Sequence, residues 1–380
     1  MTLVDNQLLN TFKNLSLHLT GGIFLIALVF SACESPEVVD EVTTGGFAEM
    51  TGNAQGTTYS IKYEDKEGRN LQGAVDSLLL DFDWHLSTYS DSSLISDFNR
   101  ADVQYYCQIA SHIIAECVNL SRTVYMRTDK AFNPAVYPLV NLWGFYDLDK
   151  QGGERPTQMQ IDSILEYISF DPSSIQLVEP GKDMEGGRGA KYMELCKSDS
   201  RAKLDFNAIA QGYSVDVISK YFSDLGIENY MVELGGEVRC KGVNAKGNTW
   251  TIGIDRPVDG MGTDNRELSA QIKLHDRGLA TSGNYRKFYE KDGIKYSHTI
   301  DPNTGMPVTH SLLSVTVVSH EAAVADAYAT AFMVMGVDKT KSFLEKNNDM
   351  DLEVYLVYGE EDGSYSSWIS EGMKEDLTEF

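Results

Sequence analysis

LDFNAIAQGYSVDVISKYFSDLGIENYMVELGGEVRCKG, residues 204–242, decides the fold class. Ile209, Val217, Ile218, Tyr221, Phe222 and Leu225 recur at helical spacing, which predicts a helix from about Asn207 to Leu225. Gly226 closes it as a glycine C-cap. Two strands follow, 229–234 and 237–242, joined by Gly235-Gly236. A helix that hands over to a tight strand pair is not the strand–helix–strand unit of a parallel sheet. The chain outside this stretch mixes its elements in the same way. Thr57–Tyr63 alternates as a strand, while Leu71–Leu86, Tyr105–Arg127 and Pro156–Ile168 read as helices. Glu179–Ser200 reads as an exposed hairpin loop. Strands are expected at 249–254, 268–274, 295–300, 312–319, 353–358 and 365–369. A helix from Glu321 to Met335 stops at Gly336, and 339–347 is a further helix. The class is α+β, and no Pro/Gly/Ser linker divides 47–380, so that span is one domain.

The formal net charge of −24 over 380 residues excludes nucleic acid as a partner, because phosphates would be repelled. An anionic small ligand would need a metal or a locally positive site. Near the N-terminus the apolar run Ile23–Phe30 is followed by Ser31-Ala32-Cys33. It is far shorter than the roughly 20 apolar residues of a membrane span, and it fits the apolar region of a signal peptide. Residues 1–32 are therefore expected to be a lipoprotein signal peptide, with Cys33 lipidated and 33–46 a polar, acidic tether. This predicts a cell-envelope protein, lipid-anchored to a bacterial membrane and facing the periplasm. The remaining cysteines, Cys107, Cys117, Cys196 and Cys240, show no CxxC spacing, which argues against zinc. An exported location permits a disulfide, but spacing does not fix a pairing, and free buried thiols are the expectation.

Several positions carry chemistry. Gly212 lies inside a helix, where Gly costs about 1 kcal/mol relative to Ala, so a close approach of backbone or ligand is expected there. Asp205 precedes that helix, either as an N-cap or as a functional carboxylate. Asp326 and Thr330, four apart among alanines, project from one helical face and offer hard oxygen ligands suited to Mg²⁺. YSHTIDPNTGMPV, residues 296–308, puts His298 and Asp301 at a strand end before a rigid Pro-Gly turn. There is no GxxxxGK[ST] and no GxGxxG, so neither a P-loop nor a Rossmann site is supported.

In order, the chain carries QGTTYSI (55–61), LSTYSDSSLISDFN (86–99), AFNPAVYPLVNLWGF (131–145), LDFNAIAQGYSVD (204–216), VELGGEVR (232–239), TSGNYRKF (281–288), HTIDPNTGMP (298–307) and ADAYATAFMVMG (325–336). Together with the lipobox, this set resembles the FAD:protein FMN transferases, the ApbE-type flavin transferases formerly called thiamine biosynthesis lipoproteins. The resemblance implies a single large domain over 47–380, of mixed sheets and helices, with the ligand cleft between sublobes. It implies Mg²⁺-dependent transfer of FMN from FAD to a threonine hydroxyl of an exported or membrane flavoprotein, such as a subunit of a membrane redox pump, with release of AMP. By resemblance, Asp326, Thr330 and the Ala208 carbonyl hold the metal. FAD contacts fall on Gln55, Tyr89, Ala131, Phe132, Asn133, Asp205, Gln211 and Ile300. His298 and Asp301 match an H-x-x-D-P motif, His298 either accepting the threonine proton or only ordering the turn.

Three departures stand out: Gln55 where many members have Met, Asn133 for the common Asp, and Gln211 for the common Lys. The last removes a cation near the phosphates and bears on the balance between transfer and hydrolysis. A FAD pyrophosphatase and a non-catalytic flavin-binding lipoprotein are the competing readings.

Overall fold

In the computed structural model, which describes residues 46–146, 155–180, 192–257, 267–284, 288–291 and 294–380, the deciding stretch folds as read. Numbered along the chain, α6 (Asn207–Asp224) is followed by β6 (Tyr230–Leu234) and β7 (Glu237–Lys241), paired antiparallel across Gly235-Gly236. Both turn glycines have positive φ, 68° and 112°, a conformation that a side chain would oppose.

This hairpin sits inside an eight-stranded sheet in which every neighbour is antiparallel. Its order is β1 (Phe47–Ala54), β2 (Thr57–Glu64), β6, β7, β10 (Gly278–Gly283), β15 (Leu312–Ser319), β16 (Glu353–Gly359) and β17 (Tyr365–Ile369). One face is covered by α6 and by α7 (Ala322–Lys346), which breaks at Gly336, φ 78°. α1 (Gln72–Leu86) packs on the β1–β2 end of the sheet beside α6, while α2 (Leu94–Arg100), α3 (His112–Arg127), α4 (Tyr137–Leu142) and α5 (Gln158–Leu165) share a core with α7. The other face packs on a three-stranded sheet of β8 (Trp250–Asp255), β9 (Leu268–Leu274) and β18 (Leu377–Glu379). Val315 and Val317 join the core on the helical side, and Val318 joins the core around Trp250, the alternation expected of a strand buried on both faces. A second three-stranded sheet has the order β3 (Tyr106–Ala110), β5 (Met193–Lys197), β4 (Ile175–Val178). Two short hairpins complete the described chain: β11 (Phe288–Lys291) with β12 (Ile294–Ser297), and β13 (Ile300–Asp301) with β14 (Met306–Pro307). The α+β class holds.

The structure corrects three readings. Tyr105–Arg127 is not one helix: β3 comes first, and Ser111 caps α3 by accepting from the Ile114 N–H at 3.2 Å. Residues 193–197, read as exposed loop, form the buried half of a hairpin, and 181–191 lie outside the described residues. Cys107 and Cys196 are not free thiols. They face each other across β3 and β5 and form a disulfide, whereas Cys117 and Cys240 are free and buried as expected. β1, α2, α4, β4, β11 and β18 were not anticipated. Residues 1–32, Cys33 and the tether up to residue 45 lie outside the described residues. Among the described residues no helix is long and apolar enough to cross a membrane.

Candidate active site

Gly212 places the site, because it is where α6 and α7 touch. A methyl group there would lie 2.5 Å from the Ala322 carbonyl oxygen, so the glycine permits direct contact between the two helix backbones. At the same point the Gly212 N–H donates to Asp326 Oδ2 at 3.1 Å. α-Helical geometry directs that N–H at the Ala208 carbonyl, so the Asp326 carboxylate stands beside the first turns of α6. Asp326 is buried, and burial pushes its carboxyl up to about 7, against the lowering effect of the Gly212 N–H. One turn along, Thr330 Oγ1 is 3.3 Å from Ser282 Oγ on β10. The structure thus brings together the α6 turn containing Ala208, Asp326 and Thr330. A carboxylate, a hydroxyl and a main-chain carbonyl are hard oxygen donors that fit Mg²⁺. Elsewhere among the described residues Cys107, Glu194 and Cys196 also cluster, but the two sulfurs are joined to each other and unavailable to a metal.

The start of α6 carries Asp205. Its main-chain N–H donates to Pro134 O at 2.8 Å, and its Oδ1 accepts from the Asn207 N–H at 2.7 Å. Phe206 holds the N-cap position itself, so Asp205 caps from one residue further out. Its Oδ2 accepts from the Tyr146 hydroxyl. Burial pushes Asp205 up to about 6, opposed by the Asn207 bonds. Tyr146 stacks on Tyr137 at 4.6 Å between ring centroids and meets Tyr89 edge-on at 6.3 Å. Three tyrosines therefore surround one carboxylate, and Tyr89 is 73% exposed. Tyr137, Tyr146 and Ser282 were not singled out in the sequence, although Ser282 lies in the TSGN motif and Tyr146 directly follows LWGF.

At the sheet end beside α6, two hairpin turns meet. Gln55-Gly56 joins β1 to β2 with φ of 52° and 72°, the double positive φ of a type I′ turn. Both amide atoms of Gln55 are enclosed without a hydrogen-bond partner among the described residues. An enclosed amide in that state needs a further partner, which water or a bound ligand can supply. Gly235 N–H donates to Thr58 O at 3.1 Å, and a methyl on Gly235 would come within 2.9 Å of Gln211 Nε2 and 3.2 Å of Glu237 Oε2. Gln211 thus lies against the double-glycine turn.

The HTIDPNTG turn reaches this region through the segment that carries Tyr146. The His298 ring meets the Phe145 ring edge-on at 6.4 Å, one residue before Tyr146. Asp301 Oδ1 accepts from the Asn303 N–H at 2.9 Å, and its main-chain oxygen accepts from Gly305 N–H at 2.8 Å, so this carboxylate shapes its own turn. Trp143 Nε1 donates to Gly305 O at 2.8 Å and anchors the turn to the LWGF segment. Ile300, Ala131 and Phe132 are buried. Asn133 is occupied locally: Oδ1 accepts from the Ala135 N–H at 2.9 Å and Nδ2 donates to Ile168 O at 2.8 Å.

Residues 55–356 match the model of the ApbE family, which spans most of the chain. The chain belongs to the ApbE family. Its relatives include a protein named FAD:protein FMN transferase from Haemophilus influenzae, 32% identical over 91% of this chain and 94% of its own. The Escherichia coli protein of the same name is 30% identical over 94% of this chain and 96% of its own. Among solved structures, the flavin transferase ApbE of Vibrio cholerae is similar with a TM-score of 0.72 and 32% identity, covering 87% of this chain and 99% of that one. The flavinyl transferase ApbE of Pseudomonas stutzeri matches with the same TM-score, 30% identity, and 87% and 96% coverage. This ApbE-family chain is accordingly an enzyme of the transferase class.

Proposed function

We propose that this chain splits the pyrophosphate of FAD and transfers the FMN half to a threonine hydroxyl of an exported or membrane flavoprotein, such as a subunit of a membrane redox pump. The threonine oxygen bonds to the FMN phosphorus, the P–O bond to the AMP phosphate breaks, and the hydroxyl proton passes to His298. The observation that carries this reading is the Gly212–Asp326 bond, which sets the oxygen ligands of α7 against α6. The Ala208 carbonyl, Asp326 and Thr330 would hold Mg²⁺, whose chemistry is charge neutralisation of the pyrophosphate. That neutralisation suits a chain with a net charge of −24. Gln55, Tyr89, Ala131, Phe132, Asn133, Asp205, Gln211 and Ile300 contact FAD in this reading, Asn133 through main-chain atoms because its amide is engaged. Asp301 keeps the turn that aims His298. Cys33 carries the lipid that holds the enzyme on the membrane, facing the periplasm.

The test mixes the enzyme with FAD, Mg²⁺ and a purified acceptor flavoprotein, and follows AMP release and flavin fluorescence on the denatured acceptor. Metal-dependent fluorescence that disappears when the acceptor threonine is replaced supports the proposal. AMP release equal with and without the acceptor, and no labelled acceptor, would make the enzyme a pyrophosphatase.

A further inference from the structure

The geometry points to Asp216 as a positioning residue that sets the place of α7, and with it Asp326 and Thr330, against α6; this rests on the metal site proposed above.

Asp216 lies on α6 one turn beyond Gly212. Its Oδ1 accepts from the Ala322 N–H at 3.0 Å and its Oδ2 from the Ala323 N–H at 2.8 Å, and Arg239 Nη1 on β7 donates to Oδ1 at 3.0 Å. Both ends of that ion pair are largely buried, with 17% and 14% of the Arg239 and Asp216 side chains exposed. The first amides of a helix have no partner inside it, and a side chain at the N-cap usually supplies one. Glu321 holds the N-cap of α7 and makes no such bond. The acceptor comes instead from a different helix, 106 residues earlier in the chain. A carboxylate there also complements the positive end of the helix dipole.

The seat around this bond is close. A methyl on Gly212 would lie 2.5 Å from Ala322 O, and one on Gly278 would lie 2.4 Å from Ala322 N. The first turn of α7 is thus held between α6 and β10, and the Asp216 carboxylate fixes its position along the axis. Asp326 and Thr330 follow at four-residue steps, about 6 Å each along a rigid helix. A slip at Ala322 therefore reaches both ligands undiminished. Mg²⁺ demands oxygen distances near 2.0–2.1 Å in octahedral geometry, so a slip of about 0.5 Å is enough to spoil the site.

The experiment titrates Mn²⁺ alone into the full-length protein, with free Mn²⁺ read by electron paramagnetic resonance. FAD affinity without metal and the thermal midpoint are measured alongside. Asp216→Ala is expected to weaken Mn²⁺ binding by roughly tenfold or more, the loss typical of removing a group that orients a ligand. FAD affinity without metal should stay within about twofold. Asp216→Asn keeps one acceptor oxygen and should recover part of the loss, and it serves as the test if the alanine variant does not fold. Unchanged Mn²⁺ affinity in a folded variant would overturn the proposal, as would parallel losses of Mn²⁺ and metal-free FAD binding, which mark general destabilisation. A wild-type protein that binds no Mn²⁺ would overturn the metal site itself, an outcome distinct from wild type and variants binding alike.

Discussion

The Gly212 N–H donates to Asp326 Oδ2 at 3.1 Å, joining α6 to α7 where a side chain would not fit between the two backbones. Two opposing effects meet at this glycine. Alanine would gain about 1 kcal/mol in helix propensity. Its methyl would lie 2.5 Å from a main-chain oxygen, and only displacement of a helix relieves that contact. Overpacking of this kind costs roughly 1–3 kcal/mol and more where backbone must move. Gly212→Ala should therefore lower stability by about 2 kcal/mol in denaturant unfolding. A more stable variant would show that the helices have room to part.

Asp326 is costly to the fold, because burial disfavours its charge. Asp326→Asn keeps an oxygen for the Gly212 N–H and removes the charge. The thermal midpoint should be equal or higher, while metal-dependent AMP release should fall to background. Retained turnover at saturating Mg²⁺ would remove Asp326 from the metal site.

The i,i+4 spacing of Asp326 and Thr330 was legible in the sequence, as was a close approach at Gly212, because helical periodicity and glycine cost are local signals. The partner at Gly212 was not legible, since Asp326 lies 114 residues away. Tyr146 and Asp205 likewise meet across 59 residues, and neither stretch carries a sign of the other. β3 was hidden for a different reason. Cys107, Ala110, Ile113, Ile114 and Cys117 continue at helical spacing through it, and the extended form comes from pairing with β5. Only Ser111, a good N-cap residue, marked the true start of α3. That misreading, together with the reading of 193–197 as loop, concealed that Cys107 and Cys196 stand opposite each other.

That cross-link closes a loop with a sequence separation of 89. A disulfide typically contributes about 2–4 kcal/mol, chiefly by restricting the unfolded chain, and a loop this long lies at the upper end of that range. Cys107→Ser with Cys196→Ser should lose that much stability, and adding reductant should then change nothing further. Equal stability with and without the pair would mean the β3–β5 sheet holds unaided.

His298 stands against Phe145, beside the tyrosines around Asp205. A positioned general base contributes roughly 10²–10⁴-fold to a rate. His298→Ala should slow flavin transfer by at least about a hundredfold with FAD affinity kept within a few-fold. Wild-type rates would leave the imidazole with the turn alone.

Lys197 supplies a pH test independent of the site. Its side chain is fully buried beneath the segment leading to Asp205, where Nζ donates to Ser200 O and Ala202 O, each at 3.1 Å, and lies 5.1 Å from the centre of the Phe98 ring. Burial, with a smaller push from Lys203, lowers its pKa from 10.5 to about 8. Between those values the unfolded chain holds a proton that the folded chain has released, so stability rises with pH. The contribution is complete above 10.5 and lost as pH falls through about 8. Lys197→Met has no such proton, and comparison with it cancels the other alkaline titrations. From pH 8 to 10.5 wild type should gain about 2–3 kcal/mol on the variant, at about 1.4 kcal/mol per unit. A constant difference across that window would mean that the two carbonyls and the Phe98 ring keep the ammonium charged, and that this buried lysine is held as a cation.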